Sequence, residues 1–440
     1  MEYIVSIERN GVFVPVGTIS GESSDSAQFW YADSFLEDTE AAPVSVSLPL
    51  QPEAFPAGRT KAFFDGLLPE GFTRRAVAEQ LRLDERDYVR ILHRLGRECI
   101  GALRIHERGE EPAARYEKLS SEQVRQLASE GAEECAAFMI ESRLCLAGAT
   151  GKAGLYLDPE AGGWHLPQGT APSTHIVKQS HVRLKQIVPN ELLCLLTAKN
   201  CGIDVPDSFI IDLGAGDDAD ILLASGRYDR FFPQQPRNIS GLQVPLRLHQ
   251  EDFAQALGIP ASDKYESGEP YLGKMFALLR THSAHPVEDQ LKLWDRIIFN
   301  YLIGNTDGHL KNYSLLYSPD LKALRLAPAY DVVNTTGYPR MTHSMAFAIG
   351  KARQIEEVTR DAFRMAAKEA GLGPRMALDR LDDLSERFCP ALDQAAVSLE
   401  SRGVKGIEQI RESILKTGGI AMMEDMPEKH VTRHRSGPAR

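Results

Sequence analysis

The sequence predicts an α+β fold of two lobes with a cleft between them, and three observations lead there. The first hundred residues mix strand signals with a short helical stretch. From about residue 145 strand-like segments alternate with Gly-rich turns, and beyond about 250 the chain turns mainly helical. In order, residues 3–7 and 12–16 flank Asn10-Gly11, two residues that tolerate positive φ and so favour a tight hairpin. Residues 44–50 continue as a β-like stretch, and 71–96 carry helical periodicity through Ala76, Val77, Leu81, Val89, Leu92 and Leu95. The polar run 108–113 reads as a linker. Residues 175–178, 208–213 and 221–224 are strand candidates. Residues 189–198 form a helix, with Pro189 in its first turn and Gly202 beyond its end. Helical periods follow near 270–282, 288–303, 360–371 and 376–400. The expected division is 1–110, 111–247, 248–416 and a disordered tail, 417–440.

Composition narrows the function classes. The 440 residues carry 43% hydrophobic and 25% charged residues, ordinary for a globular protein with a sizeable core. No 18-residue apolar run or basic-then-apolar N-terminus occurs, which predicts a cytoplasmic protein with no membrane partner. Six cysteines without a Cys-x-x-Cys pair, and histidines without zinc-site spacing, predict free thiols and no structural zinc. A net charge of −11 argues against this chain alone coating nucleic acid.

The chemistry concentrates in Asn305-Thr306-Asp307-Gly308-His309-Leu310-Lys311-Asn312, at the end of the 288–303 helix. Asp307 and Asn312 stand five positions apart, the Asp-to-Asn spacing of a kinase catalytic loop. A carboxylate there orients an acceptor hydroxyl and takes its proton, and an amide oxygen one loop-turn on can hold Mg²⁺. Asp331, after the apolar run 324–329, supplies the second metal-binding carboxylate. The competing reading is a helix-ending loop in which Asp307 and Asn312 only cap and turn. Lys178 leaves an apolar strand-like stretch, as the phosphate-binding lysine of kinases does, and Glu191 opens the next helix where it could pair with it. A solvated lysine and a favourably placed first-turn acid would look the same.

Other stretches say less. Gly148 to Lys152 fails the phosphate-loop spacing, because only two residues separate Gly148 from Gly151, and Ala153 stands where Ser or Thr should be; phosphate cradle and ordinary hairpin both remain open. Gly214 to Ala219 mimics a dinucleotide fingerprint, but its acids would repel a pyrophosphate, so it reads as a turn. Arg227-Tyr228-Asp229-Arg230 is either a surface charge pair or a hinge strand at adenine.

Several of these stretches, in this order, resemble the HipA family of bacterial toxin kinases over about residues 3–415. They include Ser45-Val46-Ser47-Leu48-Pro49-Leu50, Phe63-Phe64-Asp65-Gly66-Leu67-Leu68-Pro69-Glu70, Leu95-Gly96 with Gly101-Ala102, and Leu146-Ala147-Gly148-Ala149 with Lys152. Ser173-Thr174-His175-Ile176-Val177-Lys178, Asn190-Glu191, Arg227 to Arg230, Gln250-Glu251-Asp252, the Asn305–Asn312 loop and Tyr330-Asp331 complete the set. The resemblance implies a protein-kinase-like fold with an added N-terminal β-rich subdomain and a mainly helical C-terminal lobe.

It also implies Ser/Thr phosphorylation of a protein target with ATP and Mg²⁺, an aminoacyl-tRNA synthetase being the best-known substrate class. A small helix-turn-helix antitoxin, HipB-like, would bind operator DNA and neutralise the toxin. On this resemblance Asp307 is the base, Asn312 and Asp331 hold Mg²⁺, Lys152 and Lys178 meet phosphate, and Glu191 supports Lys178. His309, Gln250, Arg227 and Tyr228 are further nucleotide or transition-state contacts. Two departures stand out. Cys145 occupies the place of the family's autophosphorylated serine, and Thr150 that of its usual glutamine. Phosphate is therefore not expected on Cys145, and Ser142 and Thr150 are the nearby hydroxyls that could take it. Two other functions fit the same residues: a small-molecule phosphotransferase, and a catalytically weak co-repressor acting with a DNA-binding partner.

Overall fold

The computed structural model describes residues 1–110, 113–129, 136, 139–141, 151–180, 184–214 and 220–423. The N-terminal module opens with the expected hairpin: β1 (Glu2–Arg9) and β2 (Val12–Ser20) pair across Asn10 and Gly11, both at positive φ. With β3 (Gln28–Tyr31) and β4 (Leu103–His106) they form an antiparallel sheet of order β3-β2-β1-β4. Its buried face packs Val5, Ile7, Phe29 and Tyr31 against the helices Ala57–Phe64 and Tyr88–Leu95.

Two expectations for this module need correction. The helical period over 71–96 is two helices, Gly71–Leu81 and Tyr88–Leu95, because Arg82 turns left-handed and Asp87 caps the second through the Arg90 N–H. Residues 44–50 are no strand. They turn tightly, with an isolated bridge between Ser45 and Leu48, because the buried Glu251 carboxylate accepts from the Ser45 hydroxyl at 2.5 Å and the Val46 N–H at 3.0 Å.

A second antiparallel sheet has the order β5-β7-β6-β8-β10-β9, built from β5 (Arg115–Lys118), β6 (Lys152–Leu157), β7 (Trp164–Gln168), β8 (His175–Gln179), β9 (Ser208–Asp212) and β10 (Ile221–Gly226). The helix Ile187–Asn200 crosses behind it, its Leu192, Leu193 and Leu195 buried in the core it shares with the second lobe. That lobe is helical, with Tyr271–His282, Pro286–Ile303, Arg360–Glu369 and Pro374–Ser401 close to the expected ranges and a further helix, Ile407–Thr417, that the sequence reading did not mark. Trp294 lies at its centre, fully buried, its indole N–H donating to the Ala377 carbonyl at 3.0 Å and its ring meeting Phe276 and Phe363 edge-on. The bilobal α+β fold is as the sequence predicts.

The tail is ordered further than expected. Gly419 donates its N–H to the Tyr301 carbonyl at 2.9 Å, and Ile420–Met423 forms a short helix there. Among the described residues Cys99, Cys194 and Cys201 are free thiols, and no helix is long and apolar enough to cross a membrane.

The module and the second sheet are joined by buried charge. Arg227, Asp229 and Arg230 are not a surface pair: Arg227 and Arg230 converge on Glu98 and Asp229, and Arg247 pairs with Glu8 at 2.7 Å. Asp229 also accepts from the Gly101 N–H at 2.8 Å. Burial alone would raise its pKa, but Arg227 and Arg230 hold it far below the ordinary carboxylate range. Removing one member of such a cluster leaves uncompensated charge in a dry interior. Asp229→Ala is therefore expected to lose about 3–5 kcal/mol of stability, read as a lowered denaturation midpoint. A loss within experimental error of zero would refute this role.

Candidate active site

The cleft lies between the second sheet and the helical lobe, about 270 Å³ in volume, and three separate pieces of chain bring charge to it. The first is the sheet. Lys152 on β6 and Lys178 on β8 are direct cross-strand partners, so the pleat sends both side chains to one face. Like charges placed opposite each other repel unless an anion lies between them. Asp331 is that anion: one carboxylate oxygen accepts from Lys152 Nζ at 3.0 Å and the other from Lys178 Nζ. From the helix Ile187–Asn200, Glu191 reaches the same Lys178 ammonium at 2.5 Å.

Burial alone would lower the pKa of Lys178, but Asp331 and Glu191 override it and hold the ammonium above its ordinary value. For Asp331 burial works upward, and Lys152 with Lys178 pulls it far below the carboxylate range. Glu191 comes out raised, because burial and the Asp331 charge outweigh Lys178. Asp331 lies in a loop rather than on a strand, with φ +52, a left-handed conformation that Asp tolerates at some cost.

The second piece is the loop after the helix Pro286–Ile303. Gly304 ends that helix at φ +74, and a Cβ there would fall 2.2 Å from Thr336 Oγ1, so the chain can turn into the loop only with glycine. Asn305 Oδ1 accepts the Asp307 N–H at 3.1 Å, and the Thr335 hydroxyl accepts the Thr306 N–H at 2.8 Å. Asn312 donates its side-chain N–H to the Asp307 carbonyl at 2.8 Å, which closes the loop and leaves the amide oxygen as its other end. Asp307 and Asn312 are thus tied to each other, and both line the cleft. Asp307 has its pKa raised by burial, with the Tyr265 hydrogen bond and the Lys264 charge working against the rise.

The third piece is the strand pair Gln250–Asp252 and Ser314–Tyr317: Gln250 lines the cleft from the first strand, and Ser314 of the second shares a hydrogen bond with the Tyr330 hydroxyl at 2.6 Å. Tyr228 and Tyr330 stack with centroids 5.9 Å apart. The Tyr228 hydroxyl donates to Gln250 Oε1 at 2.5 Å, and Gln250 Nε2 donates to Asp229 at 3.0 Å.

Of the residues singled out from sequence, Lys152, Lys178, Glu191, Asp307, His309, Asn312 and Asp331 all line this one cleft. Gln250 lines it with both ends of its amide already engaged, and the Arg227 guanidinium turns away into the buried charge cluster. His309 is buried beside Lys264 and Lys311, with its pKa pushed down to about 3 by burial first and those charges second, so the ring is neutral. Cys145, Ser142, Thr150 and the Leu146–Ala149 run lie outside the described residues.

Sequence reading missed Tyr265 and Lys264 and the roles of Glu70 and Lys311. Lys311 donates to Asp252 at 2.7 Å and to the Gly66 carbonyl at 2.8 Å, pinning the loop to the N-terminal module. Lys311 stood inside the quoted motif as a signal. Tyr265 lies in a polar connection between helices, where no spacing marks it.

The donor set suits Mg²⁺ with a triphosphate. Among the described residues no group of three or more His, Cys, Asp or Glu could hold a metal on its own. One carboxylate and one amide oxygen, Asp331 and Asn312, are what a Mg²⁺ shared with phosphate oxygens requires. The paired lysines are a ready counter-charge for those phosphates.

Two family models match the chain: the HipA N-terminal domain over residues 12–106 and the HipA-like C-terminal domain over residues 144–392. The chain belongs to the HipA family of toxin kinases. Among HipA-family relatives, Y4mE of Sinorhizobium fredii is 34% identical over 388 residues, covering 86% of this chain and 88% of its own. The serine/threonine-protein kinase toxin HipA of Shewanella oneidensis is 27% identical over 399 residues, covering 86% and 87%. The solved complex of Shewanella oneidensis HipA, HipB and operator DNA has the same fold. Its TM-score is 0.76 at 22% identity, over 96% of this chain and 100% of that one.

The pairing around Lys178 sets a stability test for this HipA-family cleft. Lys178→Ala leaves Glu191 buried without its cation, so its pKa, already raised, rises further above the unfolded value. The contribution of a raised carboxylate is fully present below its unfolded pKa and is lost as pH rises through the folded pKa. The variant should therefore lose more stability relative to wild type at pH 8 than at pH 5. A deficit that does not change across that range would show that Glu191 is not held by Lys178.

Proposed function

We propose that this HipA-family kinase transfers the γ-phosphoryl group of ATP, with Mg²⁺, to a serine or threonine hydroxyl of a protein that growth depends on. An aminoacyl-tRNA synthetase is the substrate class that the family resemblance favours. The observation that carries the reading is the convergence of Lys152 and Lys178 on Asp331, with Glu191 behind Lys178 and the Asp307–Asn312 loop lining the same cleft. A capping-and-turning role for the loop would not call for two opposed lysines and a buried carboxylate beside it.

ATP supplies the phosphoryl group when bound, and Mg²⁺ neutralises charge on its oxygens. Lys152 and Lys178 give up Asp331 to meet phosphate oxygens, and Glu191 keeps Lys178 aimed as they do. Asp331 and the Asn312 amide oxygen are the protein groups that would hold the metal. Tyr228, Tyr330, Ile176 and Leu195 give the cleft the flat and apolar walls that suit a purine. Asp307 orients the acceptor hydroxyl and takes its proton. Its raised pKa makes it a better base than an exposed carboxylate.

Asp307→Ala should lower transfer at least about 10²-fold while leaving nucleotide affinity largely intact, because the base acts on the transition state. Asp331→Ala should lose transfer and Mg²⁺-ATP affinity together. Label transfer from ATP into a cell lysate, with calorimetry for binding, checks both. Near wild-type turnover in either variant removes the role given to that residue, and label appearing only in small molecules would favour a small-molecule phosphotransferase. Phosphoproteomics after brief induction, against the Asp307→Ala control, would name the target.

The partner in this reading is a small, basic, HipB-like helix-turn-helix antitoxin that carries the operator affinity. The solved relative is a complex of HipA, HipB and operator DNA, and a chain of net charge −11 has little to offer DNA phosphates. The purified chain alone should shift operator DNA only weakly. Tight binding without a partner would overturn this division of labour.

A further inference from the structure

We propose that Tyr265 makes this site discriminate a protein hydroxyl from water: its phenol occupies the acceptor position on Asp307 until a protein hydroxyl displaces it. The inference rests on the kinase reading of Asp307 and adds a residue that the family motifs do not include.

The Tyr265 hydroxyl donates to Asp307 Oδ1 at 2.6 Å, within the range in which an acceptor hydroxyl must approach its base. The phenol thus makes the contact that a serine, a threonine or a water molecule would need. Its position is built from several sides. The ring meets His309 edge-on at 5.1 Å, and the Lys264 ammonium lies 5.5 Å from its centroid. Lys264 is held by Glu70 at 2.6 Å, and the Glu266 N–H donates to the Ala346 carbonyl at 2.8 Å on the other side.

Tyr265 is nevertheless 45% exposed, whereas Tyr301, Tyr313 and Tyr317 in the same lobe are each 2% exposed. It can leave Asp307 by a side-chain rotation without opening the core. A water molecule gains little by displacing it, since it brings one hydrogen bond and no other contact. A protein segment brings the rest of its docking surface and can afford the exchange.

The reaction held back is hydrolysis. A bond forms between water oxygen and the γ-phosphorus, the bond from that phosphorus to the ADP oxygen breaks, and the proton of water passes to Asp307 and on to solvent. While the phenol holds Oδ1, that carboxylate oxygen is not free to take the proton. Tyr265 itself stays protonated through neutral pH, because burial first, and the Asp307 charge second, raise its pKa. The charges that face Asp307 are Lys264, which lowers its pKa together with the Tyr265 bond, and Asp331 and Glu70, which raise it; His309 is neutral.

The test uses the full chain with Mg²⁺-ATP and no added protein, and measures phosphate release. Tyr265→Phe should raise hydrolysis about tenfold, the factor expected for freeing a carboxylate from one hydrogen bond. A purely structural tyrosine would leave hydrolysis unchanged. Tyr265→Leu, which also removes the ring, should change it in the same direction. Melting temperature and nucleotide affinity establish that each variant is folded. Tyr265→Phe combined with Asp307→Ala should be silent. If Asp307→Ala abolishes transfer but both Tyr265 variants hydrolyse ATP no faster than wild type, the gate is wrong and the kinase reading stands. If Asp307→Ala hydrolyses and transfers like wild type, the kinase reading fails first. Stoichiometric phosphate on Tyr265 of the wild-type protein would make it a substrate and overturn the gate.

Discussion

Two ammoniums facing each other across adjacent antiparallel strands are the constraint around which this cleft is arranged. Lys152 and Lys178 share a cross-strand position, and neither lies at the surface. Such a pair is tolerable only while an anion bridges it. Asp331 fills that role, and to reach it the backbone accepts a left-handed conformation at a non-glycine residue. Glu191 supplies the further negative charge that a buried ammonium needs. The same arrangement suits a polyanionic ligand, because phosphate oxygens can take over from Asp331 and release it for a metal. Electrostatic preorganisation and fold stability therefore rest on the same four side chains.

Much of this was legible in the sequence, and the limits have physical causes. The Asp307-to-Asn312 spacing survives as a closed hydrogen-bonded loop because a short local motif fixes its own geometry. Lys178 and Glu191, on a strand and the next helix, are likewise near neighbours in the chain. Lys152 could not be settled from its Gly-rich surroundings, since its partner across the strands and its partner Asp331 are both distant in sequence. Residues 227–230 looked like a surface pair or a hinge because their burial comes from Glu98 and Gly101, more than a hundred residues earlier. Residues 44–50 alternate like a strand, yet a carboxylate two hundred residues away bends them into a turn. Local periodicity cannot register a tertiary hydrogen bond that outweighs it.

Those distant contacts make the N-terminal module part of the site rather than an appendage. Glu251 holds Ser45 and Val46, His249 bonds the Val44 carbonyl at 2.7 Å, and Lys311 bonds the Gly66 carbonyl. Glu251 belongs to the strand that carries Gln250 and Asp252, and Lys311 belongs to the Asp307–Asn312 loop. Displacing the module would break hydrogen bonds whose other ends are one residue from Gln250 and from Asn312. It would also strip Lys311 of the Gly66 carbonyl and leave it Asp252 alone, and strip Glu251 of Ser45 and Val46 and leave it the Tyr317 hydroxyl, losses that a buried site tolerates poorly. Contacts on the outer face of the module thus have a short physical route to the loop that carries Asp307. That route runs through fixed hydrogen bonds, so it requires no long-range motion of the lobes.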